Sequence, residues 1–228
     1  MLCLKTQIGH GGSRFCYVHP ENPNKCVKVA QHEKDLKDLR REIMINTLLR
    51  PLFGERMALC ESELAQTDKG PGFVCDLVRD HDGAISPPMS QEAFHGRGKE
   101  RKGLVSSLNS LMEKIIENDI FFFDFNGGNF VIQTLENGDA NIIFVDMKSL
   151  NVNGYWGFLK LERFVAPLAR IIMYRRMRRM YSDRELPFPF DELCRKKLFS
   201  SFWVAFRPSL KKWEKEYSER LASQDENP

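Results

Sequence analysis

The sequence has no apolar run long enough to cross a lipid bilayer. A spanning helix needs roughly 20 consecutive apolar residues, and no stretch of this chain approaches that length. Residues 1–5 also lack the basic segment and the following apolar run that are typical of a secretion signal. We therefore expect a protein without a membrane span that stays in the cytoplasm.

Closely spaced cysteine pairs are missing as well. No two of the six cysteines form a Cys-x-x-Cys pair, so the spacing typical of a structural zinc site is absent. Most of them have apolar neighbours, which indicates buried, reduced thiols. The six are Cys3, Cys16, Cys26, Cys60, Cys75 and Cys194.

An excess of one charge is lacking too. The chain carries 34 basic and 31 acidic residues, and its net charge of +3 is too small to indicate nucleic-acid binding by itself. Of its 228 residues, 42% are hydrophobic and 29% are charged, which is ordinary for a soluble domain with a buried core. This length suits one large domain or two small lobes that share a cleft.

The first eighty residues are mainly typical of β-strands. One helix is predicted from 32 to about 50, because apolar residues recur there at helical spacing and Pro51 follows. The strand candidates cover residues 2–8, 15–18, 26–30, 57–64 and 73–78.

The remainder is mainly typical of helices. A loop-rich stretch at 80–98 suggests a boundary between an N-lobe at 1–79 and a C-lobe at 80–228. Strands at 130–135 and 141–145 flank an Asn-Gly hairpin signal. Helices are predicted at 103–117, 155–181 and 191–222, the first from a clear apolar stripe. This order predicts an α+β fold.

A glycine-rich loop lies between the first two strand candidates. Gly9, Gly11 and Gly12 would let the backbone approach phosphate oxygens and present N–H groups to them. An ordinary hairpin turn has the same composition, so this loop alone does not decide between the two interpretations.

A lysine lies in the apolar strand that follows. Lys28 must reach water, a carboxylate or a phosphate, because burying an unpaired charge is costly. We expect Glu42 on the next helix to be its partner, with Glu33 as the second choice. Lys28 at a solvated strand edge is the alternative.

Two carboxylates and an amide in the second half complete the candidate site. Asp124 and Asn129 have the D-x-x-x-x-N spacing of a kinase catalytic loop. Asp124 would orient the proton of an acceptor hydroxyl, and Asn129 would ligate Mg²⁺. Asp146 directly follows a buried strand and would hold the metal as well. An Asn- and Gly-rich turn and a strand-end aspartate are the simpler explanations.

With these residues, the layout resembles a protein kinase and, more narrowly, the bacterial YrbL-like family, named for the PhoP regulatory network. The most specific part is Gly-x-Gly followed by Cys-Tyr-x-His-Pro-Glu at residues 16–21. The resemblance covers residues 1–160. It is carried by segments 8–21, 26–29, 41–42, 72–78, 129–132 and 145–146.

The resemblance implies a two-lobed fold with a strand-rich N-lobe, a short helical C-lobe and a hinge near residues 76–79. A nucleotide would occupy the cleft, with ATP and Mg²⁺ as cofactors. The implied activity is that of an ATP-dependent phosphotransferase acting on a hydroxyl of a small molecule or a protein, with a regulatory role.

Two rival interpretations stay open. Phe122 and Phe123 stand where kinases carry His-Arg, and Met147 and Lys148 stand where they carry Phe-Gly. These departures favour a pseudokinase-type regulatory module without transfer activity. Separately, the arginine-rich segment 170–184 could contact nucleic acid or an anionic membrane, although a docked helix with a solvated charged face explains it more simply.

Overall fold

The computed structural model describes residues 1–90, 103–118, 120, 125–146 and 162–199. Its architecture is mixed α+β, with a strand-rich N-terminal sheet followed mostly by helices. The elements in chain order are β1 (Gln7–His10), β2 (Arg14–Val18), β3 (Lys25–Ala30), α1 (Leu36–Phe53), β4 (Cys60–Thr67), β5 (Gly70–Asp76), α2 (Leu104–Glu117), β6 (Phe130–Thr134), β7 (Ala140–Phe144), α3 (Glu162–Ser182) and α4 (Asp191–Phe199).

The first five strands form one antiparallel sheet in the order β1-β2-β3-β5-β4. Successive side chains of a strand point to opposite faces, and both faces of the central strand β3 are buried. One face packs Val27 and Val29 against Tyr17 and Val74. The other face carries Cys26, Phe73 and Cys75. These side chains pack against Leu39 and Ile43 of α1.

The helix α1 extends past the point where the sequence predicts its end. It runs to Phe53, and Pro51 lies inside it. A proline costs a helix one hydrogen bond and strains the preceding turn, but here it falls in the last turn. Gly54, with φ of 51°, ends the helix by donating its N–H to the carbonyl of Arg50.

The bounds predicted for three strands were wrong, and the third of them, β5, spans Gly70–Asp76 instead of 73–78. β1 begins at Gln7 instead of residue 2, and Leu2 forms an isolated bridge with Thr67. The N–H of Leu4 donates to Asp68 at 2.8 Å, so the first residues lie along the edge of β4. β4 itself spans Cys60–Thr67 and not 57–64.

The prediction of reduced thiols was wrong for two of the six cysteines. Cys60 and Cys75 form a disulfide. They are cross-strand partners on β4 and β5, so their side chains leave the same face of the sheet side by side. Their separation along the chain gave no indication of this pairing.

The largest core lies between α2, the β6–β7 hairpin and the second half of α1. The apolar stripe of α2 is fully buried, as its periodicity predicts. β6 and β7 pair antiparallel, and Gly138 in the connecting turn has φ of 79°, a value that favours glycine. The hairpin therefore forms where the Asn-Gly signal predicts it.

Among the described residues, no helix is both long and apolar enough to cross a membrane. The predicted helices at 155–181 and 191–222 correspond to α3 and α4 in their described parts. Residues 155–161 and 200–222 lie outside the described residues. The division into lobes at residue 79 stays a prediction.

Candidate functional site

Lys28 and Glu42 form a buried ion pair, as expected from the sequence. On β3, Lys28 lies on the face that packs against α1, and only 8% of the residue is exposed. Its ammonium group donates to Glu42 Oε1 at 2.6 Å and to the backbone carbonyl of Val145 at 2.8 Å. Glu33, the second choice, is exposed in the 3-10 turn before α1.

The surroundings of Lys28 disfavour its charge unless partners compensate. Burial lowers the pKa of Lys28, the positive charge of Arg14 lowers it further, and the carboxylate of Asp146 opposes the shift. The ring of Phe73 lies 5.6 Å from the ammonium nitrogen and adds a cation–π contact. A buried ammonium group needs charge-assisted hydrogen bonds to offset the loss of water. Lys28 has such bonds to Glu42 and to the carbonyl of Val145.

Glu42 binds two cations at once. Its side chain has 0% exposure, and it pairs with Lys28 through one carboxylate oxygen and with Arg14 through the other. A buried carboxylate with a single cation would leave lone pairs unsatisfied, whereas this arrangement uses both oxygens. Helix α1 thereby fixes two basic side chains of the sheet.

Arg14 is the site residue that the sequence reasoning missed. Its guanidinium group forms ion pairs with both Glu42 and Asp146. The register of the sheet brings it there, because β2 and β3 pair with Arg14 opposite Ala30 and Cys16 opposite Lys28. In that register Arg14 shares a face with Lys28. In the sequence, Arg14 follows the glycine loop and is therefore assigned to that loop and not to the strand face that carries Lys28.

Asn129 and Asp146 lie side by side, and their predicted role as metal ligands stays a prediction. The amide nitrogen of Asn129 donates to the backbone carbonyl of Asp146 at 2.9 Å. The carbonyl of Asn129 accepts the N–H of Val145 at 2.8 Å and that of Asp146 at 3.3 Å. Asn129 is 5% exposed, and the side chain of Asp146 is 34% exposed. The end of the β6–β7 hairpin therefore presents an amide and a carboxylate together.

The loop before β6 is held in a tight turn. The side chain of Asn126 accepts the N–H of Gly128 at 2.8 Å, and the N–H of Asn126 donates to Asn129 Oδ1 at 3.1 Å. A Cβ atom on Gly127 would overlap the carbonyl of Met89 and crowd the guanidinium of Arg184. Only glycine fits there without a shift of the loop.

Asp124, which the sequence predicts to orient an acceptor hydroxyl, lies outside the described residues. So do the departures from the kinase pattern at residues 122–123 and 147–148. The structure therefore neither joins Asp124 to the cluster nor separates it.

The glycine loop connects β1 to β2 directly beside Arg14. The N–H of Gly11 donates to the carbonyl of Arg14 at 2.8 Å, and the side chain of Gln31 donates to the carbonyl of Gly11 at 2.7 Å. A Cβ atom on Gly11 or Gly12 would meet no atom within 4 Å, and their φ values lie outside the left-handed region. Gly9 also has room for a side chain.

The described site thus combines two basic side chains, two carboxylates and one amide. They are Arg14, Lys28, Glu42, Asn129 and Asp146. Among the described residues, no group of three or more His, Cys, Asp or Glu side chains is arranged to hold a metal ion. A metal at this site would therefore need oxygen atoms from groups other than carboxylates, such as the amide of Asn129 and ligand phosphates.

The arginines of segment 170–184 do not form a single basic face. Arg170 and Arg184 are buried and donate to backbone carbonyls. Arg178 pairs with Asp191 at 2.6 Å and lies over the ring of Phe188. The exposed remainder is the solvated face of a helix whose methionines are buried. This geometry favours the docked-helix interpretation.

Comparison with known proteins gives matches to one family. A family model described as PhoP regulatory network protein YrbL matches residues 1–185. The chain is also 28% identical over 117 residues to the protein named "Uncharacterized protein YrbL" of Escherichia coli (strain K12) and to its namesake of Shigella flexneri. Each alignment covers 50% of this chain and 54% of the relative, so the chain spans about half the length of these curated relatives.

The family model covers the described glycine loop, the Lys28–Glu42 pair and the Asn129–Asp146 pair. By that match, the chain belongs to the PhoP regulatory network protein YrbL family.

Proposed function

We propose that this protein binds ATP with Mg²⁺ between its N-terminal sheet and the β6–β7 hairpin and transfers the γ-phosphoryl group to a hydroxyl acceptor. The fold we propose with it is kinase-like and two-lobed. The observation that carries the proposal is the position of Lys28. Its ammonium group bonds Glu42 on α1 and the backbone carbonyl of Val145, the residue directly before Asp146.

This contact supports the proposal, because it holds close together the two groups of residues that a phosphoryl-transfer site would need. Such sites need positioning and charge stabilisation more than covalent chemistry: a lysine for the phosphates, oxygen ligands for the metal and a loop over the triphosphate. Lys28 supplies the lysine, and Asn129 and Asp146 supply the oxygen ligands. Lys28 is hydrogen-bonded to the residue directly before Asp146, and Asn129 is hydrogen-bonded to Asp146 itself.

The glycine loop adds independent support. Within the described residues, neither a backbone angle nor a neighbouring atom explains why residues 11 and 12 are glycines. Phosphate oxygens that approach the backbone closely would explain it. The loop adjoins Arg14 and, through β2 and β3, the Lys28 strand, which is where a triphosphate would have to lie.

The donor set also fits Mg²⁺. This ion is usually bound through one or two carboxylates together with phosphate oxygens and waters, and Asp146 and Asn129 offer a carboxylate and an amide oxygen. The bound metal would neutralise the charge that develops on the phosphates. In the transfer, the acceptor oxygen bonds to the γ-phosphorus, the bond to ADP breaks, and Asp124 takes the hydroxyl proton.

A specific observation favours a second candidate, nucleotide binding without transfer. Arg14 pairs with Asp146, the carboxylate that a metal would need. If that pair persists when nucleotide binds, Arg14 takes the place of the metal charge and the protein acts as a regulatory, pseudokinase-type module. The two candidates differ in whether nucleotide binding depends on Mg²⁺.

The test is thermal unfolding with ATP, with and without Mg²⁺, for the wild type and two variants. We expect Mg²⁺ to increase the stabilisation by ATP in the wild type, and Lys28→Met and Asp146→Asn to lose it. Matched controls are Lys25→Met, on the same strand but paired with Asp76 at the surface, and Asp139→Asn in the hairpin turn.

Stabilisation by ATP that persists unchanged in both site variants contradicts the proposed site. Stabilisation that is lost in Lys28→Met but never depends on Mg²⁺ favours the module without transfer. Transfer of labelled phosphate from ATP to cell extract, abolished in Asp124→Asn, distinguishes the enzyme from the module.

A further inference from the structure

Four cysteines form a row across one face of the N-terminal sheet. Cys26 on β3 is the cross-strand partner of Cys75 on β5, and Cys75 is the cross-strand partner of Cys60 on β4. Cys16 on β2 lies next to them, opposite Lys28. All four belong to the same apolar cluster beneath α1. We call these residues the cysteine row.

Cys75 occupies the middle of this row and has two possible partners. Because β5 lies between β3 and β4, Cys26 and Cys60 approach it from opposite sides. Neighbouring strands lie about 4.8 Å apart, and direct cross-strand pairs have Cα separations of about 4.5–5.5 Å. A disulfide accommodates such separations. In the present structure Cys75 is bonded to Cys60.

Cys16 and Cys26, the members of the row on β2 and β3, shift each other's pKa in opposite directions. The neighbouring Cys26 side chain, helped by the charges of Lys28 and Arg14, lowers the pKa of Cys16 to about 7, although burial opposes the shift. The Cys16 side chain, together with burial, raises the pKa of Cys26. At neutral pH, Cys16 is therefore partly a thiolate that can accept the proton of Cys26.

We propose that the cysteine row is a thiol–disulfide exchange site in which Cys75 alternates between Cys60 and Cys26. A thiolate exchanges a disulfide by attacking one of its sulfurs, and the strand register places Cys26 and Cys60 on either side of Cys75. Both Cys26 and Cys75 are buried, so the exchange takes place inside the protein without an external thiol.

The reaction balances without any oxidant or reductant. Cys26 passes its proton to the Cys16 thiolate and attacks the sulfur of Cys75. The bond between Cys26 and Cys75 forms while the bond between Cys75 and Cys60 breaks. Cys60 leaves as a thiolate and takes up a proton from water, and Cys16 returns the proton of Cys26 to water, so no net proton is gained or lost. One disulfide is present before and after, and the reverse reaction follows the same path.

The test maps the disulfides of the native wild-type protein. The purified protein is incubated without reductant, its free thiols are blocked with N-ethylmaleimide at acidic pH, and it is digested with trypsin. Cleavage after lysine and arginine separates the four cysteines into peptides 15–25, 26–28, 57–69 and 70–79. We expect peptide 70–79 to be found linked both to 57–69 and to 26–28.

Two variants make the result specific. In Cys60→Ser treated with glutathione disulfide, we expect the Cys26–Cys75 link with release of two equivalents of glutathione. In Cys16→Ser, the approach to the two-isomer mixture should be slower at pH 7, because the proton acceptor is missing. Cys194→Ser, which removes a thiol of α4 outside the cysteine row, should change neither result.

A wild-type map that lacks either linkage after prolonged incubation at pH 8.5 overturns the proposal. If Cys60→Ser fails to fold, the wild-type map decides alone. If that variant folds and Cys26 and Cys75 remain alkylated, or Cys26 pairs with Cys16 instead, the proposal is likewise overturned.

Discussion

The ion pair between Arg14 and Asp146 joins the first residue of β2 to the segment that follows β7. It is formed by a side chain next to the glycine loop and by the carboxylate that we propose for metal binding. A cation that approaches Asp146 must therefore compete with a guanidinium group already held there. This competition provides a direct test of how the site admits a metal.

We expect Arg14→Gln to strengthen the binding of Mn²⁺ or Mg²⁺ about two- to fivefold, because an ion pair to a carboxylate that is one-third exposed contributes up to about 1 kcal/mol. Isothermal titration of the nucleotide-free protein measures the change. Arg41→Gln, which removes a surface partner of Asp38, is the control and should leave the affinity unchanged. Unchanged or weaker metal binding in Arg14→Gln would show that Asp146 is not the metal ligand.

Glu42 should be the most sensitive acidic residue for stability. Glu42→Gln leaves Lys28 and Arg14 as adjacent buried cations, and breaking a buried ion pair costs roughly 3–5 kcal/mol. Urea unfolding should record this loss in the free energy of unfolding. The same substitution at the exposed Glu33 should change it by less than about 0.5 kcal/mol. A small effect at Glu42 would mean that the two cations find other partners.

The parts of the fold that depend on neighbouring residues were predictable from the sequence. The helix α2 follows from an apolar stripe, and the β6–β7 hairpin follows from Asn137-Gly138 between two apolar runs. The partnership of Lys28 with Glu42 was also predictable, because a buried ammonium needs a carboxylate and the next helix offers few.

The parts that depend on strand register were not predictable in the same way. The disulfide between Cys60 and Cys75 requires knowledge that β4 pairs with β5 across an irregularity between residues 60 and 64. The contacts of Arg14 require the end of β7 to meet the sheet, which local patterns do not encode. Pro51 lies inside α1 because the tertiary packing of the last turn outweighs a local preference.

The loop before β6 should tolerate no side chain at position 127. Gly127→Ala must displace the carbonyl of Met89 or the guanidinium of Arg184, and overpacking of this kind costs roughly 1–3 kcal/mol. Gly12→Ala is the matched control, because its Cβ meets no atom within 4 Å and its φ is not left-handed. Its free energy of unfolding should therefore stay within about 0.5 kcal/mol of the wild type.

The same pair of variants separates stability from ligand binding. Under the proposed function, Gly12→Ala should weaken ATP binding while leaving the fold intact, since a methyl group would hinder the approach of phosphate oxygens. Equal stability of Gly127→Ala and Gly12→Ala would contradict the close approach at residue 127. Unchanged ATP affinity in Gly12→Ala would count against phosphate contact at the glycine loop.

The alkylation of the partly buried Cys16 should begin at a lower pH than that of the buried thiol Cys194. Its pKa is lowered to about 7, chiefly by the neighbouring Cys26 side chain, whereas burial raises the pKa of Cys194 to about 11. Iodoacetamide labelling of peptide 15–25 should therefore rise with a midpoint near pH 7, and Cys194 should stay unlabelled in that range. A midpoint near 9 for Cys16 would contradict the lowered pKa of its thiol.

The same shift predicts how stability changes with pH. The folded protein releases the Cys16 proton near pH 7, while the unfolded chain keeps it until about pH 9. The unfolded chain therefore binds more protons between these values, and the free energy of unfolding rises with pH across that window. The contribution is complete above pH 9 and is lost as the pH falls through 7. Urea unfolding of the wild type and of Cys16→Ser at pH 6 and pH 9 measures this contribution. The wild type should exceed the variant in free energy of unfolding by more at pH 9 than at pH 6. A larger excess at pH 6 would contradict the direction of the pKa shift.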